Sequence, residues 1–202
     1  MKFTVANLRH ELLGPVSFNI AAGEVLCLSG PSGCGKSMLL RCLADLEDHA
    51  GEVLLDDIPS NEISPPAWRR QVGLLPTDSQ WWETTVGQHF PAPHHDSLFH
   101  ALQTLGFSAQ VMQWRIDRLS SGEKQRLAIL RLLQNEPQVL LLDEPTANLD
   151  PASTARVEDY LLDYQRQSHC AILWVGHDMS QIRRLCTRHL SMQQGILHQA
   201  GR

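Results

Sequence analysis

Four apolar residues, Val25-Leu-Cys-Leu28, run almost directly into Gly30-Pro-Ser-Gly-Cys-Gly-Lys-Ser37, and that junction leaves the chain few architectures to choose from. The run has the length and residue types of a buried strand. Gly30, Gly33 and Gly35 then permit a tight, positive-φ turn that points backbone N–H groups inward. A helix predicted from Lys36 places the loop at a helix N-terminus, where the dipole contributes about half a positive charge and an anion is welcome. In such a loop Lys36 reaches the β- and γ-phosphates of a nucleotide and the Ser37 hydroxyl ligates Mg²⁺. Pro31, Ser32 and Cys34 complete the turn, with Cys34 read as a small filler rather than a redox switch.

Around this junction, strand-like runs alternate with helical ones, the pattern of a mainly parallel sheet flanked by helices. Strands are predicted near residues 2–8, 16–20, 25–29, 53–56, 72–76, 139–142 and 171–175, with two short ones at 190–192 and 196–198. Helices are predicted over 36–46, 122–134, 151–166 and 179–185. Between Asp78 and Ser120 the pattern changes to Trp81-Trp82, a proline-containing loop, and helical patches at 98–105 and 109–114, which reads as a helical insertion in an α/β core.

A second constellation is Val139-Leu-Leu-Leu-Asp-Glu144, a buried parallel strand that delivers two carboxylates at its C-terminal end, where the ligand crevice of such a sheet lies. Asp143 is placed to hold Mg²⁺ and Glu144 to take the proton of an attacking water.

Composition bounds the rest. At 202 residues with 43% hydrophobic content, the chain suits one compact domain with sub-lobes. A net charge of −5 and only three lysines, Lys2, Lys36 and Lys124, argue against nucleic acid as a partner. The five cysteines show no CxxC pair and no paired spacing, so neither zinc nor a disulfide scaffold is expected and a reducing cytosol fits. A charged residue interrupts the N-terminus before an apolar stretch can form, and no window approaches 18 apolar residues, so the chain is expected neither to be secreted nor to span a membrane alone.

The stretch Ser120-Ser-Gly-Glu-Lys-Gln-Arg126 resembles the signature of ATP-binding-cassette (ABC) proteins, usually LSGGQ and a basic residue, about twenty residues before the acidic strand. Ala147-Asn-Leu-Asp150 looks like the D-loop of that family, and Val175-Gly-His-Asp178 like the segment with its switch histidine. The motifs occur in the family's order from Gly30 to Asp178. The resemblance implies a single domain over residues 1–202 with a RecA-like P-loop NTPase fold. Residues 1–77 and 135–202 form its nucleotide-binding core with an N-terminal antiparallel β part, and 78–134 a helical subdomain. It implies ATP and Mg²⁺ as cofactors, with Gly30 to Met38, His10, Ser120, Ser121, Gly122, Glu123 and Asp150 around the nucleotide and His177 beside Glu144. Because one phosphate loop and one signature occur, it also implies a second copy of the chain, head to tail across two ATP molecules. A separate integral-membrane permease would receive the motion, which sets the chain on the cytoplasmic face of the inner membrane.

Departures from the family pattern are visible. Thr77 stands where the family has a glutamine that touches Mg²⁺, with Gln80 as a substitute three residues on. Ser121 replaces the second signature glycine, Glu123 replaces its glutamine, and Met38 replaces a threonine while keeping its N–H for the α-phosphate. His10 stands in for an adenine-stacking tyrosine. His89, His94, His95, Asp96 and His100 are read as no metal site, because no ligand pair has a firm helical spacing. Trp81 and Trp82 follow the altered loop, where a cassette's groove for its membrane partner lies. Two other readings, a soluble cassette protein working on ribosomes or DNA and a small-molecule kinase, are weaker. The first usually has two cassettes or a long coiled-coil insertion, and the second has no use for Ser120 to Arg126 or for a water-activating Glu144. Cargo, direction of transport and the permease are not encoded in any residue here.

Overall fold

The computed structural model describes residues 1–91 and 96–199. The chain opens with β1 (Lys2–His10), β2 (Leu13–Ala21), β3 (Val25–Ser29) and α1 (Lys36–Leu43), then β4 (Ala50–Leu55), β5 (Ile58–Pro59), α2 (Pro65–Gln71) and β6 (Val72–Leu75). The insertion follows as α3 (Asp96–Thr104), short 3₁₀ turns and α4 (Ser121–Leu133). The rest is β7 (Val139–Asp143), α5 (Pro151–Ser168), β8 (Ala171–Val175), α6 (Met179–Leu185), β9 (Arg188–Gln193) and β10 (Ile196–Gln199).

Two sheets result. A six-stranded sheet runs β10-β9-β3-β8-β7-β6, parallel throughout except for β10, and a four-stranded antiparallel sheet runs β2-β1-β4-β5. The three central strands are buried on both faces and alternate with period two between two cores. Cys27, Leu140, Leu142, Ile172 and Trp174 face the side packed by α4, α5, α6 and the insertion. Leu26, Leu28, Leu141, Leu173 and Val175 face α1 and the antiparallel sheet. Because β3, β8 and β7 are parallel neighbours, the phosphate loop, the Val175–His177 segment and Asp143 all emerge at one edge of the sheet.

The central strands and the helices α5 and α6 form where the sequence predicts them. Elsewhere β2 and β4 begin three residues earlier than predicted, β5 is added and Ala109–Gln113 is a 3₁₀ turn, while three further differences have structural consequences. The α1 helix stops at Leu43 rather than Leu46, because Ala44 caps it and Asp45 turns to a left-handed φ of 56°. The α2 helix was not anticipated, although Ser64-Pro65 carries the right signal, a polar residue followed by proline at the first helical position. Its purpose is packing: Trp68 is fully buried and its Nε1–H donates to the Leu43 carbonyl at 2.9 Å.

The third concerns the cysteines. Cys27 on β3 and Cys186 just after α6 lie side by side, with Cα atoms 5.8 Å apart, a proximity that the spacing of the cysteines does not announce. A pair 159 residues apart leaves no spacing signature, since only the fold brings strand and helix end together. Among the described residues, no helix is long and apolar enough to cross a membrane.

Candidate active site at the phosphate loop

The loop between β3 and α1 has the conformation its glycines imply. Gly30, Gly33 and Gly35 all have positive φ, at 152°, 77° and 108°. At Gly30 the requirement is doubly steric, since a Cβ there would lie 2.3 Å from the Met192 carbonyl oxygen. Gly35 caps α1 in a left-handed conformation and brings no side chain to take the first helical N–H groups, which leaves them suited to an anion. Lys36 is buried and its ammonium donates to the carbonyls of Gly30 at 2.8 Å and Pro31 at 3.1 Å. The loop is also anchored from outside. Gly195, in the turn between β9 and β10, donates its N–H to the Cys34 carbonyl at 2.9 Å, and Gly14 donates to the Gly195 carbonyl at 3.0 Å.

These ties frame a cavity of about 400 Å³ between the loop and the β1–β2 turn, lined by Leu12, Leu13, Gly33, Cys34 and Gly195 among others. His10 is not among its walls. Its Nδ1 accepts the Leu12 N–H at 3.2 Å, while Glu11 to Gly14 line the cavity and a Cβ on Gly35 of the loop would meet Leu13 Cδ2 at 2.7 Å. Sequence reasoning missed both Leu12 and Gly195, because a β-turn in one sheet and a hairpin in another have no common motif.

At the neighbouring strand ends, Asp143 closes β7 as a buried carboxylate opposite Val175. Glu144 follows with φ +50°, a left-handed conformation uncommon for a residue with a side chain and frequent where geometry serves function. Its N–H donates to the Val175 carbonyl at 3.2 Å, and its Oε1 lies 2.6 Å from His177 Nε2. The two residues expected to act together are therefore in direct contact. Ser37 is exposed at the first turn of α1, and Met38 packs partly on the core. Leu75 pairs with Leu142, so Thr77 leaves the sheet beside Asp143's strand, and both Thr77 and Gln80 are exposed.

The signature residues lie on the N-terminus of α4. Ser120 is the N-cap, accepting the Glu123 N–H at 3.2 Å, and Glu123 Oε2 accepts the Ser120 N–H at 2.9 Å and its hydroxyl at 2.8 Å. This capping box explains Glu123 in place of glutamine, because a carboxylate serves a helix N-terminus through both hydrogen bonds and the dipole. Ser121 is exposed, and a Cβ on Gly122 would meet the Asn148 carbonyl at 3.1 Å, so signature and D-loop are in contact. Asp150 caps α5 by accepting from Ala152 and Ser153 N–H groups at 3.0 Å each. Asp178 caps α6 in the same way, accepting the Ser180 N–H at 2.8 Å.

Hydrogen bonds from Ser153 and Ser180 hold these two carboxyls below the usual aspartate range. A carboxyl lowered in the folded state adds stability above its unfolded pKa, about 3.9, and loses it as pH falls through the folded value. Asp178→Asn keeps a capping side chain that does not titrate. Its urea midpoint is accordingly expected to fall less between pH 6 and pH 3 than the parent's, and equal falls would show that the cap carries no linkage.

On the far side of β6, Trp81 is half-buried and Trp82 is 70% exposed. The Arg131 guanidinium from α4 lies 4.4 Å above the Trp81 ring and 4.8 Å from the Trp82 ring, and burial lowers its pKa. His89 props the pair: Nε2 accepts the N–H groups of Trp82 and Glu83 at 3.1 and 3.0 Å, and Nδ1–H donates to the Thr85 carbonyl at 3.0 Å. Both ring nitrogens of His89 are thus occupied by backbone. His94 and His95 lie outside the described residues, as does the side chain of Asp96.

Phosphate loop, strand-end carboxylates and open helix start define a nucleotide-binding P-loop protein. A family model described as "ABC transporter" matches residues 13–147. The chain is 35% identical over 191 residues to the aliphatic sulfonates import ATP-binding protein SsuB 2 of Agrobacterium fabrum, covering 92% of this chain and 71% of that one. It is 33% identical to the probable iron export ATP-binding protein FetA of Escherichia coli, over 85% of this chain and 80% of that one. The structure of cbiO1 from Clostridium perfringens, described as part of the ABC transporter complex cbiONQ, superposes with a TM-score of 0.81 at 27% identity, over 97% of this chain and 86% of that one. The chain belongs to the ABC transporter family, as one of its ATP-binding, ATP-hydrolysing proteins.

Proposed function

We propose that the chain is the ATP-hydrolysing subunit of a membrane transporter, acting as two copies that enclose two ATP molecules. The reading rests chiefly on the 2.6 Å contact between Glu144 and His177 at the sheet edge that carries the phosphate loop. A carboxylate held this way serves as a base for water, a role that a kinase's active site does not require. In each site Gly30 to Met38 wrap the phosphates, and Lys36 turns from the loop carbonyls to the β- and γ-phosphates. The turn bearing His10 and Leu12 receives the base. Glu144 takes the water's proton while His177 orients that water and the γ-phosphate. Ser120, Ser121 and Gly122 of the second copy close over the same phosphate, with Glu123 keeping the helix start formed and Asp150 holding the adjacent D-loop.

Mg²⁺ fits the donors present. The Ser37 hydroxyl and Asp143 carboxylate are hard oxygen ligands, with Thr77 or Gln80 as a further contact. A cation that retains phosphates and waters asks for few protein ligands. Held by Ser37 and Asp143, the ion would supply charge neutralisation for phosphoryl transfer.

The Trp81–Trp82 surface is proposed as the docking site for an integral-membrane permease, which places the chain at the cytoplasmic face of the inner membrane. An exposed tryptophan stacked on arginine has the chemistry of an interface anchor. Ser79 Oγ, Trp81 Nε1 and Arg131 Nη1 are buried with no hydrogen-bond partner among the described residues, an arrangement that a rearrangement on docking would relieve. A photo-crosslinking residue at position 82 is expected to capture a multi-span protein in membranes of the native host. Trp82→Glu is expected to weaken membrane association by about 2 kcal/mol while soluble ATPase activity is retained. Crosslinks to ribosomal proteins alone would point to the soluble cassette reading instead.

A further inference from the structure

We infer that Gln181, held by Glu158, is a positioning residue for the Glu144–His177 pair; this rests on the hydrolytic roles proposed above. Gln181 lies in the first turn of α6, four residues after His177, and is buried. Its amide nitrogen has two hydrogens and both are used. One goes to Thr146 Oγ1 at 2.8 Å and the other to Glu158 Oε1 at 2.8 Å. Thr146 is two residues past Glu144, in the turn that leaves β7. Glu158, on α5, is only 4% exposed and is neutralised by a fork from Arg184, with Nη2 at 2.7 Å from both carboxylate oxygens and Nε at 3.1 Å from Oε2.

The consequence is geometric. Glu144 and His177 belong to separate segments, and their 2.6 Å contact persists only if the turn after β7 and the start of α6 keep a fixed separation. Gln181 spans those two segments. An amide with both donors committed has one orientation left to it, and a fully satisfied buried network is stiff. Glu158 is the fixed point, because a buried carboxylate with an arginine fork stays where its partners are. The turn it secures holds Glu144 at φ +50°, a conformation its surroundings must impose. Gln181, Thr146, Glu144 and His177 line one cavity of about 270 Å³.

Gln181→Leu keeps the side chain's bulk and removes both hydrogen bonds. It is expected to lower kcat about tenfold with KM for ATP nearly unchanged, since misplacing a catalytic group slows chemistry without weakening phosphate binding. The exchanged pair Glu158→Gln with Gln181→Glu rebuilds an amide–carboxylate contact in reverse, with Arg184 still within one helical turn, and is expected to recover most of the lost kcat. Thr146→Val breaks only the link to the Glu144 turn and carries the test if the buried variants fail to fold; kcat about threefold lower at constant KM is expected. Parental kcat in Gln181→Leu, or in Thr146→Val where the former is unfolded, overturns the inference. A loss that appears only in KM does so too. Glu144→Gln in the same assay separates the two levels: if it abolishes turnover while the network variants do not, only the positioning role falls, and if it does not, the hydrolytic assignment falls and takes this inference with it.

Discussion

Glu144→Gln is expected to slow ATP turnover by at least about 10²-fold, or roughly 2.7 kcal/mol of barrier, while ATP still binds. The amide keeps the shape of the side chain, and its oxygen can still meet His177, but it cannot accept a proton from water. The unusual backbone at Glu144, which is set by the turn rather than by the carboxylate, survives the change. With hydrolysis arrested, the nucleotide remains intact between the two copies, so Mg-ATP should drive the variant to a dimer resolved by gel filtration or light scattering. A variant that binds ATP to saturation yet remains monomeric would remove the shared-site reading. One that hydrolyses at the parental rate would remove Glu144 as the base. His177→Ala addresses the same contact from the other side and is expected to affect kcat rather than ATP affinity.

Lys36→Ala is expected to weaken ATP binding by about ten- to a hundredfold, the worth of one or two charge-assisted hydrogen bonds. Lys36 is the one lysine in the phosphate loop, and its buried ammonium already rests on two carbonyls of that loop. The substitution therefore removes a phosphate ligand and an internal brace together, and Lys36→Met, which fills the same space without a donor, should not restore the affinity. Calorimetric titration with a non-hydrolysable ATP analogue measures both. A variant binding as tightly as the parent contradicts the role. Mixing Lys36→Ala with Ser120→Arg probes the geometry in trans: each copy spoils a different half of a site, so a mixed pair regains at most one working site of two.

How much of this was legible in the chain depends on how local the cause is. The phosphate loop, the β7 strand with its two acids and the capped start of α4 are written in consecutive residues, where glycine placement, apolar runs and a Ser–Glu capping pair each have a local physical meaning. That His177 lies beside Glu144 was expected from the resemblance, but the distance comes from β7 and β8 being adjacent together with the ties between the segments that follow them. The Cys27–Cys186 pair, the Leu12 wall and the Gln181–Glu158–Arg184 network were not legible, because each joins elements distant in sequence. At His10, whose place in the motif order suggests a base-stacking side chain, what the motif could not give is the local bond, in which Nδ1 accepts the Leu12 N–H beside the cavity.

The bond from Gly195 to Cys34, continued to Gly14, fastens the phosphate-gripping loop to the parallel sheet on one side and to the antiparallel hairpin on the other. A cradle braced from two directions is shaped before its guest arrives. Little ordering remains to be done on contact, so little of the nucleotide's attraction is consumed in shaping its own site.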